Sequence, residues 1–435
     1  MGAAIRSLVL AGLAGGVLAD ATRADVLVVG PGQPFASIQA AVDAAADGDT
    51  VLVKSGSYGG FSVEALSVSV VAEAGAFVEV SGGVRVASLQ ARHTVLLDRL
   101  VVLGGHDGVA AGHALHVTGC AGPVRVQQCT LRGASGIASV DPLPGCHVAG
   151  QPDGRHGALV DASPDVALTG CSLEGGTGST LWDSDCHVFG GAVYFGGTPG
   201  AGLAAVASTV GLSNCTLLGG DSGTGSYTEP GGHGASGASG ASLVLTHCTG
   251  VGGDGGDSLD GIFPALGGQG GHGLFVTGTS AAWVLDGSFA GGVQGDGWAG
   301  PGGAVSAPVV DPAHVVSWPG FGKSVGFVKV LREGQTTPLT VTGVPGEAAL
   351  VLASLPTLGA LIPKAKGQLL LHPGALVGPV SLGVLTGPAL SLDLTVPPLP
   401  GGLDAVGVYL QAVLLAPGTQ TLSAWGHLTL LDESL

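Results

Sequence analysis

PGQPFASIQAAVDAAADGDTVLVKSGSYGGF, residues 31–61, is the stretch that decides the fold. Apolar residues recur in it at i, i+3, i+4 and i+7, the spacing of a short helix with one apolar face; they are Ile38, Ala41, Val42 and Ala45. The breaker Asp47-Gly48-Asp49 follows, then a strand-like run over residues 50–53, then a second break at Ser55-Gly56-Ser57. A stack of β-coils is open at its ends, and an amphipathic helix can close such an end. The stretch therefore predicts the capped first turn of a β-solenoid.

The same residues resemble the start of secreted right-handed parallel β-helix proteins of the pectate-lyase-like superfamily. Members of that superfamily often begin with a run of the form IQ-A-v-d-A-a-G-D-t-v-x-v-x-x-G-x-Y. This chain matches it at Ile38-Gln39, Ala45, Gly48-Asp49, Val51, Val53, Gly56 and Tyr58. The resemblance implies an all-β fold, a right-handed parallel β-helix with an N-terminal capping helix, and it does not imply a particular activity.

Composition agrees with a solenoid. The chain has 435 residues, of which 82 are Gly, and only 10% are charged. That length suits about a dozen coils or two ordinary domains. No apolar run of 18 residues follows residue 30, so no membrane span is expected in the chain after that point. Buried parallel strands joined by glycine turns explain the apolar composition instead.

Residues 1–24 have the features of a signal peptide. Arg6 precedes an apolar stretch over residues 8–18, and small residues mark two cleavage sites, after Ala19 and after Ala24. Cleavage after Ala24 is favoured because a strand begins directly behind it; a short N-terminal core helix is the alternative. The segment predicts an exported, bacterial protein located outside the cell or in the cell envelope.

The net charge limits the choice of partners. The formal charge is −17, and no basic stripe could neutralise phosphates, so nucleic acid is excluded as a partner. No Lys occurs between Gly60 and Pro308, which also disfavours acidic glycans.

A repeated unit of two short strands, a Cys and a glycine pair follows the first coils, over residues 112–133, 157–176, 202–220, 241–253 and 271–292. Its Cys column comprises Cys129, Cys171, Cys215 and Cys248 at intervals of 42, 44 and 33 residues, with Ser288 in the last copy. We interpret each unit as a coil of about 20 residues with a loop inserted at one edge, over residues 134–156, 177–201, 221–234, 251–270 and 293–304. Small thiols at one coil position predict a buried ladder inside a β-helix spanning residues 25–310.

Composition changes after residue 303. Residues 316–435 have no Cys, and their strand-like runs are bounded by Pro or Gly. Several short strands with turn signals predict a small β-sandwich. The segment is loosely similar to the C-terminal β-modules of many secreted bacterial proteins.

A duplicated Cys-His pair is the most specific local motif. Cys146-His147 and Cys186-His187 lie 40 residues apart, which is about one repeat, so they are expected side by side on neighbouring insertions. In an exported protein this predicts a Cys146–Cys186 disulfide. A Cys/His metal site and unpaired thiols are the alternatives.

Residues 252–260, GGDGGDSLD, fit the calcium-binding nonapeptide pattern GGxGxDxUx of RTX proteins. The carboxylate candidates are Asp254, Asp257 and Asp260. Such sites need consecutive copies, because one turn supplies only part of the oxygen shell, and this chain has one clear copy. The alternative is a glycine-rich loop with solvated carboxylates, so calcium is the one cofactor considered and none is required.

The enzyme-like residues of the chain fall on two insertions. The polygalacturonase-like motifs NTD, DD and RIK are missing, and GHG at residues 232–234 and 271–273 lacks acidic partners. Two neighbouring insertions carry the best set of acids and bases, namely Asp153, Arg155, His156, Asp183, Asp185 and His187. Paired carboxylates about 5–10 Å apart could hydrolyse a glycoside. The alternative is that these are solvated loop charges.

Aromatic residues gather in the insertions although they form only 4% of the chain. Trp182, Tyr194, Tyr227 and Trp298 are the candidate binding residues, since exposed rings stack on sugars or on a partner's apolar patch. The sequence therefore favours a non-catalytic surface protein that binds a polysaccharide, a surface glycan or another surface protein. A polysaccharide lyase or glycoside hydrolase and a structural envelope protein are the alternatives.

Overall fold

The structure is a computed structural model. It describes residues 24–140, 148–151, 153–188, 191–224, 229–258, 267–297, 300–301, 307, 309–310, 312–355, 357–361, 365–371, 376–399 and 403–435. The first coils contain β1 (Val26–Val29), α1 (Ile38–Ala44), β2 (Asp49–Val53), β3 (Gly56–Glu64), β4 (Val68–Ala72), β5 (Val78–Ala87), β6 (Val95–Asp98) and β7 (Val101–Leu103).

The coils with insertions follow. Their strands are β8 (Leu115–Thr118), β9 (Val124–Gln127), β10 (Thr130–Arg132), β11 (Ile137–Val140), β12 (Val148–Gln151), β13 (Ala158–Asp161), β14 (Val166–Thr169), β15 (Ser172–Glu174), β16 (Thr180–Val188), β17 (Gly191–Gly196), β18 (Leu203–Val206), β19 (Thr209–Ser213), β20 (Thr216–Leu218), β21 (Ala235–Ala238), β22 (Ser242–Thr246), β23 (Thr249–Val251), β24 (Leu274–Val276), β25 (Ala281–Leu285), β26 (Ser288–Ala290), β27 (Asp296–Gly297), β28 (Gly300–Pro301), β29 (Val309–Val310) and β30 (Val315–Trp318).

The C-terminal part begins after β30. It consists of β31 (Val325–Gly326), β32 (Val330–Arg332), β33 (Thr336–Thr342), β34 (Ala348–Ser354), β35 (Thr357–Leu361), β36 (Ala365–Lys366), β37 (Gln368–Leu371), β38 (Leu376–Val384), β39 (Ala389–Thr395), β40 (Ala405–Ala416) and β41 (Thr419–Leu431).

Two long parallel sheets form a parallel β-helix, which confirms the predicted fold class. A ten-stranded sheet takes one strand from each coil, in the order β1-β2-β4-β6-β9-β14-β19-β22-β25-β30. A second sheet of 14 strands, the folded sheet, covers the other sides of the coil. The inward residues of successive strands stack in register, as Val126, Leu168 and Leu212 do, and are buried. The core is therefore a column of aliphatic side chains along the solenoid axis.

Helix α1 closes the N-terminal end as predicted. The Ser37 hydroxyl caps it by accepting a hydrogen bond from the Ala40 amide at 3.2 Å. Ile38, Ala41 and Val42 are buried against the first coil. Ala45 lies just past the helix and is half-buried.

Each coil turns at two corners by means of one residue with positive φ. At one corner these residues are Arg99, Gln128, Gly170, Asn214, His247 and Asp286; at the other they are Ala65, Ser88, Gly119, Ala162, Ala207, Ser239 and Gly278. Their φ angles lie between 45° and 66°. A single left-handed residue redirects a strand sharply, so the chain passes from one sheet to the next without a loop.

The Cys ladder follows the first of these corners. Cys129, Cys171, Cys215 and Cys248 are free thiols that are at most 2% exposed, which confirms the predicted buried column. Each Sγ donates to the carbonyl of the residue two positions earlier, at 3.4 Å. Cys120 is also free and buried, near the second corner.

The insertions all occur at one position of the coil, as predicted. Strand β5 is continuous, and its first half pairs with β7 while its second half pairs with β8. Between β7 and β8 the chain leaves the solenoid over residues 104–114, and later coils do so at the same place over residues 133–157, 175–202, 219–234, 252–273 and 291–308. The insertions therefore extend from the bend at Gly82-Gly83 of the plain coil.

The C-terminal part is a β-sandwich, as predicted. A three-stranded sheet, β31-β33-β39, packs face to face on a six-stranded sheet over a shared aliphatic core. The six-stranded sheet has the order β32-β41-β40-β34-β38, and β36 also pairs with β41. Strand β30 is the last strand of the ten-stranded sheet, so the sandwich begins with β31.

The sandwich is docked on the outer face of the ten-stranded sheet. Tyr409, Trp425 and Leu431 form one apolar cluster with Leu52 and Leu96 of the solenoid. The Gln127 side-chain amide donates to the His427 carbonyl at 3.0 Å and accepts from the His427 amide at 2.8 Å; these two bonds join the units.

Candidate functional site

The insertions form a bundle of extended segments that hydrogen-bond to one another every third residue. Gly252, Gly255 and Ser258 donate to the next insertion, to the carbonyls of Ala290, Val293 and Asp296. Gly253 and Gly256 donate to the preceding insertion. A period of three with no hydrogen bonds inside a segment is the pattern of the polyproline II helix. We call this arrangement the glycine bundle; it comprises residues 133–136, 153–157, 175–178, 197–202, 219–223, 229–234, 252–258, 267–273 and 292–295.

Glycine is needed in the bundle for space. A Cβ on Gly220 would lie 2.2 Å from the Gly176 oxygen, and one on Gly253 would lie 2.0 Å from the Gly220 oxygen. A Cβ on Gly292 would meet the Gly253 oxygen at 2.0 Å. None of the glycines in these segments has a positive φ, so their backbone angles are open to other residues. The glycines of these segments therefore allow backbones to approach one another closely, whereas the sequence had suggested that the glycines of this chain form turns.

The distal parts of five insertions follow the bundle segments in the sequence. We call residues 137–151, 179–196, 224–229, 258–267 and 296–301 the distal loops. The two longest contain antiparallel hairpins, β11 with β12 and β16 with β17, and these hairpins lie side by side. Coils stack about 4.8 Å apart, so the bundle segments of neighbouring insertions lie at a fixed small spacing.

The predicted binding aromatics belong to these distal loops. Trp182 and Tyr194 are paired across β16 and β17. Tyr227 and Trp298 lie outside the described residues. Trp182 and Tyr194 therefore belong to the same hairpin.

The predicted catalytic set is divided between the bundle and a hairpin. Asp153 accepts from the Thr198 amide at 3.0 Å and from its hydroxyl at 2.7 Å, and so joins two segments of the bundle. His156 Nδ1 accepts from the Ala201 amide at 2.9 Å. Arg155 takes part in the bundle through its backbone, because its carbonyl accepts from Gly176. Asp183, Asp185 and His187 lie on β16, with a register shift between Asp183 and His187. Their catalytic role stays a prediction.

His156 belongs to a column of histidines that the sequence did not reveal. The residues two positions before the in-register strands β8, β13, β21 and β24 are His113, His156, His233 and His272. The His113 and His156 rings stack 5.0 Å apart, and those of His233 and His272 stack 5.4 Å apart. Nδ1 of His113 accepts from the next histidine's amide, as does that of His233.

Burial keeps three of these histidines neutral. It lowers the pKa of His113 to about 3, and those of His156 and His233 to about 4. A neutral imidazole whose Nδ1 accepts carries its proton on Nε2. The column therefore holds the roots of the insertions together as a hydrogen-bonded stack.

The predicted calcium carboxylates also bond to the bundle. Asp254 Oδ1 accepts from the Val293 amide at 2.7 Å, and Asp257 Oδ1 accepts from the Asp296 amide at 2.7 Å. Asp221 accepts in the same way from the Asp254 amide at 2.8 Å. Asp260 lies outside the described residues, and within the described ranges no group of three or more His, Cys, Asp or Glu could hold a metal ion. A calcium site stays a prediction.

The predicted disulfide cannot be placed. Cys146 lies outside the described residues, and Cys186 lies on β16. The bridge stays a prediction.

The docking interface contains a buried charged cluster that the sequence did not predict. Arg125 is fully buried and pairs with Asp165 at 2.8 Å. Burial raises the pKa of Asp98 and lowers that of Lys329 to about 8, and Lys329 Nζ lies 3.8 Å over the Phe327 ring. Sequence alone indicates that charged residues on the outward face of a strand are exposed to solvent. Here the sandwich covers that face and buries them.

Comparisons with known proteins give a likeness among solved structures. No family model matches the sequence, and no curated protein matches it. Among solved structures the chain is similar to the enzymatically active domain of tailspike protein 4 of bacteriophage CBA120, at 10% identity and a TM-score of 0.19. The aligned region covers 88% of this chain and 63% of that one. A likeness at that TM-score carries no argument, so the β-helix assignment depends on the strand pairing alone. Membership of the pectate-lyase-like superfamily stays a prediction.

No helix within the described ranges is long and apolar enough to cross a membrane.

Proposed function

We propose that this protein is exported and binds a neutral glycan through its distal loops, without chemical turnover. The observation that carries the proposal is the glycine bundle. Its backbones approach so closely that no side chain fits between them, and that close packing fixes the described bundle segments from which the distal loops start. A rigid scaffold that presents variable loops is a common design of binding proteins, because little ordering entropy is lost on binding.

The choice of a neutral glycan follows from charge and aromatic content. The sequence has no Lys between Gly60 and Pro308, and its formal charge is −17. Stacking of sugar rings on Trp and Tyr needs no charge. Such binding should respond little to salt.

The bonding of two predicted catalytic residues supports a non-catalytic role. Asp153 and His156 each accept hydrogen bonds from the neighbouring segment, so their polar atoms are engaged in holding the bundle. A lyase or hydrolase would then have to act through β16, whose residues Asp183, Asp185 and His187 are the remaining acids and base.

The test is a screen of immobilised glycans with the intact chain, followed by variants. Trp182→Ala and Trp298→Ala should each weaken binding of the best glycan at least tenfold. Phe77→Ala is the matched control, because this ring is 62% exposed and belongs to the plain coils that precede the insertions, so its loss should leave affinity unchanged. Asp153→Asn and Asp183→Asn should have effects below threefold.

Three outcomes would contradict the proposal. Equal losses in the Phe77 and Trp variants would point to non-specific adhesion. Release of reducing ends or unsaturated products that Asp183→Asn abolishes would establish an enzyme. No binding across a broad screen would favour a structural envelope protein.

A further inference from the structure

A second concave site lies where the sandwich docks on the solenoid, far along the coil from the insertions. This interdomain cleft has a volume of about 180 Å³. One wall is the outer face of the first coils, with the hydroxyls of Thr50, Ser67, Ser69 and Thr94. The other wall is the six-stranded sheet, with Gly407, Tyr409 and His427. Clefts between domains are frequent ligand sites.

The hydroxyl wall is regular because it belongs to adjacent in-register strands. Thr50 on β2 is directly paired with Ser69 on β4. The Thr94 amide donates to the Ser67 hydroxyl at 3.2 Å, which fixes the rim beside them. Neighbouring strands place such hydroxyls about 4.8 Å apart, close to the spacing of hydroxyl groups across a sugar ring.

The lining carries no Asp, Glu, Lys or Arg, although the chain as a whole is strongly acidic. A charged ligand would therefore leave its charge unpaired on entry, which is costly. A neutral ligand with several hydroxyls could hydrogen-bond to the Ser and Thr hydroxyls of one wall and pack against the Tyr409 ring of the other.

Two side-chain atoms at the cleft have no hydrogen-bond partner among the residues that the structure describes. Tyr409 is 5% exposed and His427 is 2% exposed. His427 Nδ1 lies 3.5 Å from the Thr429 hydroxyl, whereas within the described part of the chain no hydrogen bond reaches its Nε2 or the Tyr409 hydroxyl. Nε2 lies at the cleft wall, since a Cβ on Gly407 would be 2.5 Å from it. A ligand hydroxyl in the cleft would supply a hydrogen-bond partner for each of these two atoms.

The imidazole is suited to such a ligand. Burial lowers the pKa of His427 to about 3, so the ring is neutral at physiological pH. A neutral imidazole can donate to or accept from a hydroxyl according to its tautomer.

We infer that the interdomain cleft binds a single neutral pyranose ring. The volume is below the roughly 300–1,000 Å³ of drug-sized sites, which suits one ring rather than an oligosaccharide. The ring is either a free monosaccharide or the terminal residue of a glycan, since both present the same hydroxyls. This site is independent of the distal loops.

The experiment titrates the full chain with glucose, galactose, mannose and N-acetylglucosamine, using saturation-transfer NMR and calorimetry. We expect at least one of them to bind with millimolar affinity or better. Ser69→Leu, which fills the cleft, and Thr94→Val, which removes one hydroxyl, should each weaken that binding, the first at least tenfold. Thr249→Val is the control, because this exposed hydroxyl lies on the folded sheet, and it should bind as the unmodified chain does.

The outcomes separate this site from the distal loops. Trp182→Ala should leave monosaccharide binding intact, whatever it does to glycan capture. A glycan that ends in the preferred sugar should compete, and enzymatic removal of its last residue should end the competition if the terminal ring is the ligand. The inference is overturned if none of the four sugars binds to the chain at a sugar concentration of ~100 mM, which is 100-fold above a Kd of about 1 mM. It is equally overturned if Thr94→Val and a folded Ser69→Leu both bind as the unmodified chain does, or if only Trp182→Ala weakens binding.

Discussion

Gly253→Ala is the sharpest test of the glycine bundle. Gly253 donates to the Gly232 carbonyl at 2.8 Å and accepts from the Gly271 amide at 2.7 Å, so it bonds to the segments on either side. A Cβ added to Gly253 would lie 2.0 Å from the Gly220 oxygen. The φ of Gly253 is not in the left-handed region, so the backbone itself accepts alanine. The substitution therefore probes packing alone.

The magnitude follows from that overlap. Carbon–oxygen contacts between neighbouring strands are normally about 3.3–3.6 Å, so the segments must part by more than about 1 Å. Overpacking of this kind destabilises by about 1–3 kcal/mol. The displacement also weakens two hydrogen bonds at about 0.5–1.5 kcal/mol each. Alanine stiffens the unfolded chain and returns about 0.4–1 kcal/mol, which leaves a net loss of about 1–5.5 kcal/mol.

The assay compares urea unfolding of Gly253→Ala with two matched controls. Gly59 and Gly387 also have ordinary φ angles, and a Cβ on either would meet no atom within 4 Å. Both control variants should be as stable as the unmodified chain or slightly more stable. Hydrogen exchange should locate the loosening of Gly253→Ala at the amides of Gly232, Gly253 and Gly271. A loss below about 1 kcal/mol, or one no larger than in the controls, would refute the close-packed bundle.

The other predictions concern thiols, protons and calcium. Cys129, Cys171, Cys215 and Cys248 should resist thiol reagents until the chain unfolds, and Cys171→Asp should destabilise strongly because it buries an unpaired carboxylate; rapid native labelling of all four would contradict the ladder. The folded pKa values of His113, His156, His233 and His427 lie near 3–4, below the ordinary 6.5, so between pH 6.5 and 4 the unfolded chain binds more protons and stability should fall as pH falls. Urea midpoints at pH 7, 5.5 and 4.5 measure this slope, and His156→Asn, which keeps an acceptor without a titrating ring, should make it shallower. Exported protein should show Cys146 and Cys186 linked by mass spectrometry without reduction, and two free thiols there would end that proposal. Calcium binding at residues 252–260 should raise the melting temperature in a way that Asp257→Asn abolishes; identical melting curves with calcium and with a chelator would exclude it.

The solenoid could be predicted from sequence because its causes are local. The apolar spacing of Ile38, Ala41 and Val42 forms the capping helix, and the recurring thiols of Cys129 and Cys171 mark one inward position per coil. Both patterns need only near neighbours in the chain or one repeat interval. The corners were harder to find, because residues as different as Arg99 and Asp286 adopt the same left-handed conformation there.

The glycine bundle was missed because its cause is not local. A glycine in a sequence usually suggests a turn or a positive φ. Gly220 and Gly253 are extended instead, and each must be glycine because a backbone oxygen of another insertion occupies the place of a Cβ. The informative signal was their spacing, since pairs such as Gly219-Gly220 and Gly252-Gly253 recur at the start of most insertions. Only the stacking of coils brings these pairs within contact distance.

The docking interface also could not be predicted from the sequence, because the residues that form its two sides are far apart in the chain. Outward residues on the solenoid are therefore not always exposed to solvent. Alternation along β6 and β9 puts Asp98 and Arg125 outside, where charge normally indicates solvent. The sandwich, about 300 residues later in the chain, covers them and supplies His427 to Gln127. A buried ion pair such as Arg125 with Asp165 adds little net stability compared with apolar packing, but breaking it is strongly destabilising, so it favours one docked arrangement over others. Fixed docking is also what gives the interdomain cleft two walls. A charge-removing change at this interface, such as Arg125→Met, should therefore disturb the cleft and leave the distal loops unaffected.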